Sequence, residues 1–208
     1  MKTVLLPVKD FRSAKQRLAG TLSPEARSRL ARAMLTDVLS ALTQSRATDR
    51  VVLFTASGEV AEMARPFGFD VVTEDLVDGH SAAVNHMVME LSAGASRILS
   101  IAGDLPKLTA KEIDFVLDAV SSPITLIPSR DGTGTNGVVF IPPARIMMEY
   151  GEGSFRRHMS KAAAAGYFAD VMQVPGIAFD IDTPGDLQAF LDDPRKDGET
   201  WRCLMSRG

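Results

Sequence analysis

Cysteine is all but missing: Cys203 is the one thiol among 208 residues, so no disulfide can close within the chain and nothing points to an oxidising compartment. Long apolar runs are missing too. The N-terminal "MKTVLLPVKDF" breaks at Pro7, Lys9 and Asp10, too soon for a signal peptide, and no run approaches the roughly 20 apolar residues of a membrane span. No membrane partner is therefore expected, and the cytoplasm is the expected location. Basic residues are not in excess: 23 Lys and Arg face 26 Asp and Glu, a formal charge of −3, which argues against nucleic acid as a partner. A P-loop is absent, since no G-x-x-x-x-G-K-[ST] occurs anywhere. So is any zinc-like cluster, because His80, His86 and His158 are scattered and each reads as a surface or packing residue. What remains is ordinary for a globular protein, 45% hydrophobic and 24% charged, and most simply one domain over residues 1–208.

Short aliphatic runs alternate with helical patterns. Strands are read at 3–8, 50–56, 69–74, 97–103 and 124–129, with a short helix after the second and a helix over 82–93. A long amphipathic helix spans 23–45, with Ser23 as N-cap, Pro24 in its first turn, and Leu30, Met34, Val38 and Leu42 along one stripe. Another, at 109–120, opens with Thr109 and Glu112 in capping-box spacing. This alternation is the pattern of an α/β protein with a mostly parallel sheet. After residue 129 the rhythm changes to turn-rich segments, and from about Asp192 the tail is polar and expected to be peripheral and loosely held, with Trp201 and Leu204 as the residues that could pack.

Ligands of open α/β sheets lie beyond the carboxyl ends of the parallel strands, which directs attention to three loops. The first strand runs into "PVKDFRSAKQRL", where Lys9, Arg12, Lys15 and Arg17 fall within nine residues; four cations suit a polyphosphate, although a solvated basic turn reads the same way. The fourth strand ends in "SIAGDLP", placing Asp104 at a carboxyl end, as a metal-binding carboxylate or a turn former. "GIAFDIDTPGDL" reads as a strand end with Asp180 and Asp182 on one face. Like charges at that spacing repel unless a cation sits between them. Helix capping accounts for one of them, since Asp182 or Thr183 can cap the helix that follows, but leaves Asp180 unexplained. Three carboxylates from two segments favour magnesium, or manganese, over zinc. "GTGTNG" and "GEGS" are glycine-rich turns that suit anions, with Ser154 as either an anion ligand or an ordinary cap. Basic loop, acids and anion-friendly turns together describe a site for two phosphorylated ligands and divalent metal, hence nucleotidyl transfer.

These segments resemble the 2-phospho-L-lactate guanylyltransferase family, which includes phosphoenolpyruvate guanylyltransferases of deazaflavin coenzyme biosynthesis. The resembling motifs are "LLPVKDFRSAKQRL", "LSPEARSRLARAMLTDVLSAL", "AGDLPKLT", "GTNG", "GEGSFRRH" and "FDIDTPGDL", in order from residue 5 to 187. The resemblance implies a Rossmann-like nucleotidyltransferase fold of the GT-A/MobA type, three-layered with a mostly parallel mixed sheet. It implies transfer of GMP from GTP to 2-phospho-L-lactate, phosphoenolpyruvate or 3-phosphoglycerate, with release of pyrophosphate and two magnesium ions as cofactors. Lys9, Lys15 and Arg17 would hold nucleotide phosphates, with Lys9, Lys15 and Asp104 catalytic. Asp104, Asp180 and Asp182 would bind metal. Thr135, Asn136, Gly151 and Ser154 would bind the acceptor. Such sequences usually read Gly-Leu-Asn-x-Ala where this chain has "DGHSAAVN"; Gly79 is kept, His80 and Ser81 replace the Leu-Asn pair, and Gly79 and Ser81 are expected near the nucleotide. A homodimer is compatible with all of this. The rivals are a molybdenum-cofactor or sugar-phosphate nucleotidyltransferase, whose opening "LAGGxGxR" loop this chain lacks, and a non-catalytic nucleotide-binding module.

Overall fold

Alternation along β1 (Lys2–Pro7) sends Val4 and Leu6 to one face and Leu5 to the other, and all three are fully buried. A strand buried on both faces belongs in the middle of a sheet covered by helices on each side. The computed structural model, which describes residues 1–73 and 79–206, shows that arrangement. Seven strands line up as β3-β2-β1-β4-β6-β5-β7, with β2 (Arg50–Thr55), β3 (Asp70–Thr73), β4 (Arg97–Ile101), β5 (Ile124–Pro128), β6 (Thr135–Phe140) and β7 (Ala169–Val171). Every neighbouring pair is parallel except those of β6, which runs antiparallel to both β4 and β5. The expected mostly parallel, mixed, three-layer α/β fold is therefore present. Glu74, read as the end of the third strand, lies outside the described residues.

Helices α1 (Pro24–Gln44), α2 (Gly58–Ala64) and α4 (Ala110–Ala119) cover one face, burying Leu35, Val38, Val60, Ile113 and Leu117 against Val4, Leu6, Leu53 and Leu99. Helices α3 (His80–Ser92) and α5 (Ser154–Ala164) cover the other, where Val84, Val88 and Ala162 meet Leu5, Val52, Ile98 and Phe140. The caps read from the sequence hold: Ser23 accepts from Ala26 N, and Thr109 forms its capping box with Glu112. Among the described residues no helix is long and apolar enough to cross a membrane.

The tail is held more firmly than its polar composition suggests, through the two residues expected to pack, Leu204 and Trp201. After α6 (Pro175–Ala178) and α7 (Pro184–Asp192), α8 (Gly198–Met205) docks on α1, and Leu204 joins Leu30, Met34, Phe179, Ile181 and Phe190 in a third apolar cluster. Asp37 of α1 stands in for the missing side-chain cap of α8: its carboxylate accepts from Glu199 N at 2.6 Å and Thr200 N at 2.9 Å. Removing that carboxylate in Asp37→Ala orphans two helix-terminal donors and should lower stability by about 1–2 kcal/mol, read as a drop of a few degrees in Tm.

Candidate active site

Because β6 runs backwards, its first residues, Thr135 and Asn136, reach the same edge of the sheet as the carboxyl ends of β1 and β4. Ala102 N donates to Asn136 O at 3.1 Å, which sets Asn136 beside the turn that carries Asp104. The loop after β1 folds into two 3-10 turns, Phe11–Ser13 and Gln16–Leu18, tied to the core by buried Phe11 and Leu18. Between them Lys15 adopts a left-handed backbone, φ 54°, the one non-glycine residue with positive φ among those described. That conformation costs on the order of 1 kcal/mol in a residue with a Cβ, and it aims the Lys15 side chain into the site.

Lys15 Nζ donates to Asp104 Oδ2 at 2.5 Å and to Asp182 Oδ1 at 2.7 Å, and its side chain is only 4% exposed. Burial alone would depress its pKa, but Asp104 and then Asp182 outweigh it and hold the ammonium above its usual value. Burial works against the Asp104 carboxylate as well, and Lys15 keeps it below its ordinary range. Asp180 lacks such a partner. Burial first, then Asp104 and Asp182, push its pKa up to about 6, against the Asn136 amide, which donates to Asp180 Oδ1 at 3.2 Å. Three carboxylates thus share one buried ammonium, and the excess negative charge falls on Asp180.

The acidic segment is not a strand. It follows the single-turn α6 as extended backbone without a ladder partner, with Phe179 and Ile181 turned into the third apolar cluster and the two aspartates toward the site. Asp182 is not the cap either: Thr183 caps α7 in a reciprocal box with Asp186. The segment is pinned from α4, whose Glu112 accepts from Gly176 N at 2.7 Å, and from the loop after β5, where Arg130 N donates to Ala178 O at 2.8 Å.

Two cavities open at this edge. The first, about 310 Å³, is lined by Lys9, Lys15, His80, Gly103, Asp104 and Asp182. The second, about 400 Å³, is lined by Arg17, Arg130, Thr135, Gly151, Ser154, Asp180 and Asp182 among others. Asp182 belongs to both walls. Two ligand spaces meeting at a cluster of carboxylates is what a transfer between two bound reactants requires.

The family described as "Guanylyl transferase CofC like" matches residues 1–194. The chain belongs to that family. This CofC-like chain is 38% identical over 194 residues to a phosphoenolpyruvate guanylyltransferase of Conexibacter woesei, covering 89% of this chain and 85% of the relative. It is 31% identical over 192 residues to a 2-phospho-L-lactate guanylyltransferase of Methanothermobacter thermautotrophicus, covering 92% and 85%. In fold it is similar to a protein described as a nucleotide-diphospho-sugar transferase from Desulfovibrio desulfuricans, with TM-score 0.76, 15% identity, and 98% and 94% of the two chains covered. It is also similar to a Mycobacterium tuberculosis protein solved in complex with manganese, with TM-score 0.59, 17% identity, and 92% and 98% covered. The CofC-like chain is a nucleotidyltransferase by family, on the α/β fold of that enzyme class.

The structure brings together most of the residues singled out in the sequence. Lys15, Asp104, Asp180, Asp182 and Asn136 meet at the centre, with Lys9 on the first cavity and Arg17, Thr135, Gly151 and Ser154 on the second. Arg12 turns away, bonded to Asp10 and 86% exposed. Gly79, with φ 84°, opens α3, while Ser81 accepts from Tyr150 N at 3.0 Å; neither lines either of these two cavities, although His80 between them lines the first. Asp78 of the same motif lies outside the described residues. Ser154 is not a cap: Gly153 occupies that position, and the Ser154 hydroxyl accepts from Thr135 N at 3.1 Å. Arg130 escaped the sequence reading. Its guanidinium lies 4.9 Å over the Phe179 ring and pairs with Asp186 at 2.6 Å on the wall of the second cavity, and its one signal was its place in the turn-rich loop.

Among the described residues no three His, Cys, Asp or Glu side chains stand ready around a common point, and Lys15 Nζ bridges Asp104 and Asp182. The donor set nevertheless fits a hard divalent cation: all three side chains offer carboxylate oxygens, and the charge left over after Lys15 is negative.

Proposed function

We propose that the protein transfers GMP from GTP to a phosphorylated three-carbon acid, with release of pyrophosphate, as a step in making the deazaflavin coenzyme F420. The observation that carries this reading is the pair of cavities sharing Asp182, one lined by Lys9, Lys15 and Asp104, the other by Arg17, Thr135 and Ser154. GTP would occupy the first and the acid the second. A phosphate oxygen of the acid attacks the α-phosphorus of GTP, the bond from that phosphorus to the bridging oxygen breaks, and pyrophosphate departs with the bonding pair. No covalent intermediate with the chain is needed, so the rate enhancement rests on positioning and charge.

Lys15, immobilised between Asp104 and Asp182, presents a fixed positive charge at the junction of the cavities. Lys9, exposed and without a partner among the described residues, and Arg17 are free to take phosphate oxygens of the nucleotide, Lys9 from the first cavity and Arg17 from the rim of the second. Asp104, Asp180 and Asp182 would hold magnesium, as two ions, or manganese, the metal found with a structural neighbour. Bound there, it would neutralise phosphate charge as the two anions approach. The protein would work in the cytoplasm as one nucleotidyltransferase domain, with GTP and the acid as its partners rather than nucleic acid or membrane.

Pyrophosphate release measured with GTP and magnesium and each of phosphoenolpyruvate, 2-phospho-L-lactate and 3-phosphoglycerate tests this. Release with GTP and one acid, with ATP and CTP at least about tenfold less efficient, is the expected result. Silence with all three acids despite GTP binding would sink the proposed acceptor class.

A further inference from the structure

His158 is the one fully buried imidazole, 0% exposed, and no catalytic step above uses it. Both of its ring nitrogens are engaged. Glu149 N donates to Nε2 at 2.9 Å, so Nε2 is the unprotonated nitrogen. Burial first, then Lys161 and Arg157, depress its pKa to about 4, so the ring is neutral near pH 7 and its proton resides on Nδ1. Nδ1 lies 2.9 Å from Thr135 Oγ1 and therefore donates to it.

The consequence falls on the second cavity. Thr135 Oγ1 accepts from His158, and Ser154 Oγ accepts from Thr135 N at 3.1 Å, which leaves the hydrogen of each hydroxyl to be placed. Neither hydroxyl hydrogen has an acceptor among the described residues, although both side chains are buried and both line the cavity. Two buried hydroxyls polarised this way are donors awaiting an anion. With the opposite tautomer, Thr135 would instead donate to Nδ1 and turn its lone pairs toward the ligand, which would repel a carboxylate or phosphate. The same ring also fixes Glu149, and so the turn leading to Gly151, which is further held by Asn85 on Met148 and Ser81 on Tyr150.

We infer that His158 is a positioning residue for the acceptor: its Nδ1–H holds Thr135 Oγ1 as an acceptor toward the core, so that the Thr135 hydroxyl hydrogen is presented to an anionic group of the phosphorylated acid. The inference rests on the reading of the second cavity as the acceptor site.

Two replacements with the same branching separate donation from packing. His158→Asn places an amide N–H where Nδ1–H stood; His158→Leu places a methyl there; both give up the acceptor for Glu149 N. The expected result, with the acid that supports turnover, is a KM for that acid within about threefold of wild type in the Asn variant and raised about tenfold in the Leu variant, with the KM for GTP unchanged in both. In a Thr135→Val background, where the hydroxyl is gone, the two replacements should become equivalent. Equal effects of Asn and Leu in the otherwise wild-type chain, while Thr135→Val alone raises the KM, would overturn the role of His158 and leave the acceptor site standing. No effect of Thr135→Val on the acid's KM would overturn the acceptor site itself, and the inference with it. A measurement independent of any variant is the histidine-selective nitrogen spectrum of the wild-type protein from pH 6 to 9. A non-titrating His158 ring protonated at Nδ1 is expected; a His158 ring that is protonated at Nε2 or titrates in that range would end the proposal.

Discussion

Asp182→Asn should reduce pyrophosphate release by about 10³-fold or more while leaving the fold intact. Among the described residues Asp182 alone lines both cavities, so in the proposed arrangement it is the carboxylate placed to act on both reactants. It also supplies one of the two anions that immobilise Lys15, through a 2.7 Å bond to Nζ. The amide keeps the shape and can still accept from Lys15, but it removes a charge that, in the proposed function, would bind a divalent ion. The fold should tolerate it for two reasons. The Asp182 side chain is 43% exposed, and α7 is capped by Thr183 with Asp186 rather than by Asp182. Circular dichroism melts of the metal-free variant should thus overlay those of wild type to within a few degrees. Activity within tenfold of wild type would remove Asp182 from the reaction.

The alternation of strands and helices was readable because each element carries its own local signal. Ser23 before Pro24 and Thr109 before Glu112 mark helix starts through side-chain hydrogen bonds that form within a few residues. The reversal of β6 was not readable, since "GTGTNG" specifies a turn but not which neighbour the next strand will choose. The segment "FDIDT" has the pattern of a strand without being one, for a definite reason. Its alternation is real, with Phe179 and Ile181 packed inward, but it arises in extended backbone lying against the third apolar cluster, where no ladder forms. Period-two patterning reports a two-sided environment, not pairing. The carboxylates and Lys15 were visible as residue types at strand ends, whereas their convergence depends on contacts spanning 89 and 167 positions. His158 and Arg130 gave no comparable signal, because a lone histidine in a helix or an arginine in a turn is ordinary until its partners are known.

Asp180→Asn should make the metal-free protein more stable and the enzyme nearly inactive. The carboxylate is the uncompensated member of the cluster: burial and the charges of Asp104 and Asp182 raise its pKa from 3.8 to about 6. Between those values the folded chain binds more protons than the unfolded one, so stability falls as pH rises through that window and the loss persists above it. The amide is neutral at every pH and should retain a hydrogen bond to Asn136. The metal-free variant should therefore gain on the order of 1 kcal/mol at pH 7.5, seen as a Tm about 2–4 °C above wild type, and the gain should vanish below about pH 4. Added magnesium should reverse the order, since it stabilises the wild-type chain by binding to the native state and has lost a carboxylate in the variant. Turnover should fall about 10²–10³-fold. A wild-type chain that melts above the variant at pH 7.5 without metal would mean that the three carboxylates are not in electrostatic conflict. In the proposed function the same excess of charge would draw the divalent cation used for transfer, so stability and activity would be opposed at one residue.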